Sequence, residues 1–262
     1  MTLYTSGRSW SQSGEGYTIV KVAVLSDIHS NIDALEAVIK DAKDWGDCQW
    51  LVAGDIVGYG GAPNECIEML RQLGAVCIAG NHDWGAVEKT SIYYFNSAAR
   101  QAVLWTSKNL SAESRSYLEE LPLTLINGEI SLSHADFTNP ASWEYVFTLY
   151  QARRQFDGFA TRLGVIGHSH VPFIVQASEE DGRAEQVMET SVKWEKGSRF
   201  LINSGSVGQP RDGDPRSCYL RVDCSGREIA LRRVTYDVAG AQRRISESGL
   251  PSSLAERLPL GR

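Results

Sequence analysis

Val22-Ala-Val-Leu-Ser26-Asp27-Ile-His29 sets a pattern that the rest of the chain repeats. An apolar run ends in a small residue, and an acid and an imidazole follow two positions apart. Four more runs end in the same way: Leu51-Val-Ala-Gly54 before Asp55, Val76-Cys-Ile-Ala-Gly80 before Asn81, Ile130-Ser-Leu-Ser133 before His134, and Gly164-Val-Ile-Gly167 before His168. Short apolar runs of this kind are buried strands of a parallel sheet, and open α/β sheets bind ligands beyond the carboxyl ends of their strands. The chain is therefore expected to deliver carboxylates, imidazoles and an amide to one edge, the donor set of a metal centre. All five histidines, His29, His82, His134, His168 and His170, lie in these clusters.

Helical patterns alternate with the strands of the first half, as in βαβ units. Asn31 precedes an amphipathic stretch with Ile32, Leu35, Val38 and Ile39 and is a suitable N-cap. A second helix is expected after Pro63, and residues 96–121 are helical in pattern, with Ser111 as the cap that divides them in two. Asn127-Gly128 marks a hairpin turn. Beyond Val171, runs over residues 172–177, 184–192, 199–203, 217–223 and 228–236 have β character and are expected to form a mostly antiparallel second sheet packed on the first. Residues 1–17, rich in Ser, Gly and Thr, are expected to be a disordered extension, 18–238 one domain, and 239–262 a surface helix with a polar tail packed on it.

The 262 residues, 42% of them hydrophobic, suffice for one large core. With 26 basic against 32 acidic residues the net charge is -6, so no basic face is expected to track a nucleic-acid backbone. Five scattered cysteines without CxxC spacing fit reduced thiols, and no apolar stretch is long enough for a signal peptide or a membrane span. These features lead to the expectation of a cytoplasmic protein, with self-association left open.

Asp27-x-His29 and His168-x-His170 each place two ligand types on one face of an extended backbone, so each pair can grip one site or straddle two. The carboxylate of Asp55 can bridge two cations, and Asn81 offers a neutral oxygen. Seven candidates, Asp27, His29, Asp55, Asn81, His134, His168 and His170, exceed the needs of one tetrahedral site. Two cations that share Asp55 would use them all.

The ordered series Asp27-x-His29, Gly54-Asp55, Gly80-Asn81-His82-Asp83, His134 and Gly167-His168-Ser-His170 resembles the calcineurin-like metallophosphoesterase superfamily over residues 20–236, and within it the small bacterial and archaeal phosphodiesterase or phosphatase branch. Asn203-Ser-Gly-Ser-Val-Gly-Gln-Pro-Arg211 resembles a late signature of that branch. The resemblance implies a four-layer α/β/β/α sandwich of two mixed sheets flanked by helices. It also implies two divalent metals, with Mn²⁺ first and Fe, Zn²⁺, Co²⁺ or Ni²⁺ also suited to nitrogen and oxygen donors. Asp27, His29, Asp55 and His170 would hold one metal, and Asp55, Asn81, His134 and His168 the other. The implied reaction is hydrolysis of a phosphomonoester or phosphodiester by a hydroxide bridging the metals, with His82 facing the substrate as general acid. Asp83 would orient His82 or cap its loop. A small phosphorylated substrate is expected, a dinucleoside polyphosphate being the second choice, with no nucleic acid or membrane as partner. A non-catalytic metal-binding scaffold is the alternative from another class, and the acid histidine that such a scaffold lacks is present here.

Protein serine/threonine phosphatases of that superfamily carry Gly-Asp-x-x-Asp-Arg-Gly in the second motif, where this chain reads Gly54-Asp55-Ile-Val-Gly58-Tyr59-Gly60. The phosphate-gripping arginine must come from elsewhere. Arg211 and Arg216 are the candidates, with a solvated charged turn as the plainer reading. The aromatic clusters Tyr93-Tyr94-Phe95 and Trp143-Glu-Tyr145-Val-Phe147 are expected to pack in the core or between subunits rather than to stack on a substrate ring.

Overall fold

Asn31 caps the first helix as its sequence implies: its Oδ1 accepts from the Ala34 N–H at 3.1 Å, and its Nδ2 donates to the Gly208 carbonyl at 2.9 Å. The computed structural model describes residues 21–262, so the expected extension over residues 1–17 lies outside the described residues. The chain runs β1 (Lys21–Leu25), α1 (Ile32–Trp45), β2 (Gln49–Val52), α2 (Pro63–Gln72), β3 (Val76–Cys77), α3 (Asn81–Ala86), α4 (Ser97–Asn109) and α5 (Ala112–Glu120). It continues through β4 (Thr124–Asn127), β5 (Ile130–Ser133), α6 (Leu149–Gln155), β6 (Leu163–Ile166), β7 (Phe173–Ser178), β8 (Ala184–Val187), β9 (Ser191–Lys193), β10 (Ser198–Asn203), β11 (Ser217–Asp223) and β12 (Glu228–Val234). It closes with α7 (Val238–Glu247) and α8 (Ser252–Glu256). Ser111 divides α4 from α5 as expected, its Oγ accepting from the Ser114 N–H.

Two mixed six-stranded sheets result, ordered β3-β2-β1-β11-β12-β9 and β4-β5-β6-β10-β7-β8. In the first, β1, β2 and β3 are parallel and β11, β12 and β9 extend the sheet antiparallel. In the second, β6 is parallel to both β5 and β10. The expectation that the late strands together form the second sheet is corrected. The late strands divide between the two sheets, and the run over residues 184–192 breaks into β8 on one and β9 on the other.

The alternation of β1 explains the layering. Val22 and Val24 point between the sheets, where they meet Leu132, Val165, Phe200 and Ile202. Ala23 and Leu25 point outward onto Leu35 and Val38 of α1 and Ile67 and Leu70 of α2. Across the second sheet, Ile166, Val175 and Leu201 face Ala152 of α6. The order of layers is α/β/β/α. The C-terminal segment departs from the polar tail that was expected: Leu254 of α8 and Leu258 are buried with Ile245 against Tyr59 and Ala102. Among the described residues no helix is long and apolar enough to cross a membrane.

Candidate metal centre

The five strand ends meet, but at the facing edges of two sheets rather than along one. β1, β2 and the segment after β3 bring Asp27, His29, Asp55 and Asn81, whereas β5 and β6 bring His134, His168 and His170. All seven side chains are buried. The ligand atoms of Asp27, His29 and His170 lie within 4.8 Å of one another, as do those of Asp55, His134 and His168; His29, Asp55 and His82 form a third such group.

At the ends of β1, β2 and β6 the backbone is left-handed, not extended. Asp27 has φ +53°, His29 +50°, Asp55 +53°, His168 +65° and His170 +60°. Non-glycine residues enter this region at a cost of about 1–3 kcal/mol each, which the surroundings must offset. Here the amides are tied down: Asp27 N–H to the Gly54 carbonyl and His29 N–H to the Asp55 carbonyl, both at 3.0 Å. The turn separates the two imidazoles of His168-x-His170, so that His170 joins Asp27 and His29 while His168 joins Asp55 and His134. Of the two arrangements open to each pair, this pair straddles.

Backbone carbonyls set the imidazole tautomers. His29 Nδ1 lies 3.1 Å from the Val57 carbonyl, His134 Nδ1 2.8 Å from that of Ala53, and His170 Nδ1 2.6 Å from that of Gln209. A carbonyl can only accept, so each Nδ1 carries a proton, and Nε2 presents a lone pair whenever the ring is neutral. His29 Nε2 and His170 Nε2 then face each other at 3.1 Å. Two lone pairs at that distance repel unless a cation lies against both. Asn81 Oδ1, His134 Nε2 and His168 Nε2 are also buried without a hydrogen-bond partner among the described residues. Such atoms are costly to leave unpaired, and together they are the donor set of a divalent ion. The residues fit the metal that the chemistry calls for.

The carboxylates are anchored from behind. Asp27 accepts from Ser26 Oγ at 2.7 Å and from the His168 N–H at 3.0 Å, and its Oδ1 lies 3.2 Å from His170 Nε2. Asp55 Oδ1 accepts from the His82 N–H at 2.8 Å, while Oδ2 lies 3.3 Å from His134 Nε2 and 3.6 Å from His29 Nε2. Asp55 Oδ2 thus sits between the two groups of donors. Burial pushes the Asp27 and Asp55 acids up, but the surrounding histidines outweigh it and hold both well below the usual carboxylate range.

His82 lies in the first turn of α3, and its ring lies 4.9 Å from that of His29 and 4.5 Å from that of Tyr59. A Cβ at Gly58 would run into the His82 ring, so that glycine makes room for it. Burial, opposed by the Asp55 charge, lowers the His82 pKa to about 4. Asp83 does not reach His82 by hydrogen bond. Its Oδ1 accepts from the Val57 N–H at 3.0 Å and its Oδ2 from the Gly80 N–H at 2.9 Å. It caps the loop, the second of its two expected roles, and steadies the Val57 peptide that orients His29.

The two arginine candidates part company. Arg216 is exposed and held by Asp214. Half-buried Arg211 donates to Tyr59 Oη at 3.2 Å and to Gln209 Oε1 at 3.0 Å, and its Nε is buried without a partner among the described residues. Tyr59 occupies the position of the motif arginine noted above, so a guanidinium reaches that place from the late loop instead. Tyr59 was not among the expected site residues; the glycines on either side of it were the signal in the sequence, and the backbone between them is left-handed at φ +56°. The second aromatic cluster does not enter the core at Tyr145 or Phe147. Tyr145 stacks on His168 with centroids 4.0 Å apart, and Phe147 stacks on Tyr145 while 64% exposed.

At His134 burial lowers the pKa, but the Asp55 charge outweighs it and raises the value to about 9. A metal at neutral pH must displace that proton, whereas burial leaves His29, His168 and His170 already neutral. Zn²⁺ affinity measured by competition with a chelator is therefore expected to rise about tenfold per pH unit between pH 7 and pH 9, one proton being released per binding event. In His134→Gln the dependence should flatten. An equally steep dependence in that variant would contradict the assignment.

Comparison with known proteins agrees with this geometry. The family model for the calcineurin-like phosphoesterase superfamily domain matches residues 20–227. An uncharacterised protein from Methanocaldococcus jannaschii is 42% identical over 246 residues, covering 92% of this chain and 98% of that protein. The crystal structure of a metallophosphoesterase from Sphaerobacter thermophilus superposes with a TM-score of 0.80 at 37% identity, covering 94% of this chain and all of the other. A hypothetical protein from Pyrococcus horikoshii shares the fold at 19% identity, with a TM-score of 0.76 over 92% of this chain and 98% of its own. With the family model spanning most of the chain and the strand-end residues gathered in one cluster, the protein belongs to the calcineurin-like phosphoesterase superfamily.

Proposed function

We propose that the chain is a binuclear metal-dependent phosphoesterase that hydrolyses a small phosphomonoester or phosphodiester, with Mn²⁺ as the first metal to test. Asp27, His29, Asp55 and His170 hold one ion, and Asp55, Asn81, His134 and His168 the other. When bound, the two cations supply an acidified water as nucleophile and positive charge for the phosphoryl oxygens. The observation that carries the reading is the convergence of lone pairs from His29, His134, His168, His170 and Asn81 on one buried cluster, with His82 beside it.

The remaining roles follow from the chain's own groups. Arg211, its Nε unpaired, meets a phosphoryl oxygen from the side of Tyr59. His82 is neutral until an anion arrives, because burial holds its pKa low. The charge of a bound phosphate opposes that shift, and in its protonated form the imidazole would pass a proton to the leaving oxygen. The test is hydrolysis of bis-p-nitrophenyl phosphate by the Mn²⁺-loaded protein, with Asp55→Asn as control. Metal-dependent turnover that the substitution removes is expected, and no turnover of any ester by loaded protein would overturn the reading.

A further inference from the structure

Tyr145 and Phe147 form an aromatic ledge that starts at the metal centre and ends in solvent. Tyr145 lies nearly parallel to the His168 ring, 20° apart, and Phe147 nearly parallel to Tyr145, 12° apart with centroids at 5.1 Å. Both remain open, Tyr145 at 42% and Phe147 at 64% exposure. A ring that exposed gains little from the protein's own core, yet its backbone is pinned. The Phe147 and Thr148 amides both donate to Gln151 Oε1 at 3.0 Å, within the capping box that starts α6. On the inner side, Trp143 is fixed by its indole N–H to Thr90 Oγ1 at 3.2 Å. The ledge is preorganised, and it runs from the ring of His168, whose Nε2 belongs to the cluster with His134 and Asp55.

We infer that this ledge stacks a planar aromatic group carried by the substrate, so that the site selects phosphoesters bearing a nucleobase or an aryl ring over alkyl and sugar esters. The inference rests on the phosphoesterase reading for where the phosphate lies. With the phosphate at the His/Asp cluster, a substituent leaving on the His168 side passes along Tyr145 to the open face of Phe147. Arg211 stands against Tyr59 and beside Tyr145, where it can hold the phosphate at the inner end of the ledge. Stacking on an aromatic side chain discriminates by the presence of a π-face rather than by hydrogen-bond pattern.

Binding can be read without turnover. On Mn²⁺-loaded protein in a His82→Ala background, which keeps the ions and slows turnover, calorimetry should give adenosine 5′-monophosphate an affinity about tenfold above that of ribose 5-phosphate, which carries a hydroxyl in place of the base. Phe147→Ala should bring that ratio close to one, and Phe147→Trp should keep it. Phenyl phosphate against cyclohexyl phosphate separates an aryl preference from a nucleobase preference. A protein with Phe147 in place and no preference in either pair, or a Phe147→Ala variant that retains it, overturns the ledge. Because these are affinities, a protein that hydrolyses no ester but prefers the aromatic ligand sinks the enzyme reading while leaving the ledge standing.

Discussion

Asp55→Asn should strip the protein of bound metal. The substitution keeps the side-chain shape, and asparagine tolerates the left-handed backbone that Asp55 adopts at φ +53°, so the turn survives. What disappears is the charge placed 3.3 Å from His134 Nε2 and 3.6 Å from His29 Nε2, on the carboxylate that the proposed assignment gives to both ions. Both ions lose a ligand charge, and on the order of 100-fold weaker binding or worse is expected, since even outer partners of metal ligands are worth 10–100-fold. The His82 N–H also exchanges a carboxylate acceptor at 2.8 Å for an amide oxygen. Equilibrium dialysis against Mn²⁺ reads the outcome, and wild-type occupancy in the variant would show that Asp55 is not the bridge.

The opposite split is expected for His82→Ala. The backbone N–H of residue 82, not its imidazole, bonds Asp55, so both ions should stay. Turnover should fall by about 10²–10⁴-fold, the usual worth of a positioned general acid, and most for esters with poor leaving groups. A p-nitrophenolate leaving group needs little protonation, so comparing it with an alkyl leaving group isolates the role. An equal loss on both would point to substrate positioning instead, and normal turnover on both would remove His82 from the chemistry.

The clustering of these side chains was legible because it rests on local signals: apolar runs ending in small residues, each followed by a side chain able to bind a metal. Strand pairing is a tertiary property. Nothing local tells β9 to join β12 on the first sheet while β8, only a few residues earlier, pairs with β7 on the second. The left-handed turns at Asp27, His29, His168 and His170 were hidden for another reason. Glycine announces such a conformation and these side chains do not; hydrogen bonds from distant strands impose it. Arg211 and Arg216 look alike in sequence, and only the fold puts one against Tyr59 and the other in solvent. Tyr145 lies in a loop without periodicity, so its stacking on His168 left no trace in the residue pattern.

Elemental analysis of the wild-type chain, loaded with Mn²⁺ and freed of excess ion by gel filtration, bears most directly on the cluster. Two ions per chain, sharing Asp55 between the His29/His170 and His134/His168 halves, are expected. A single ion, or none retained at micromolar free metal, would contradict a paired centre.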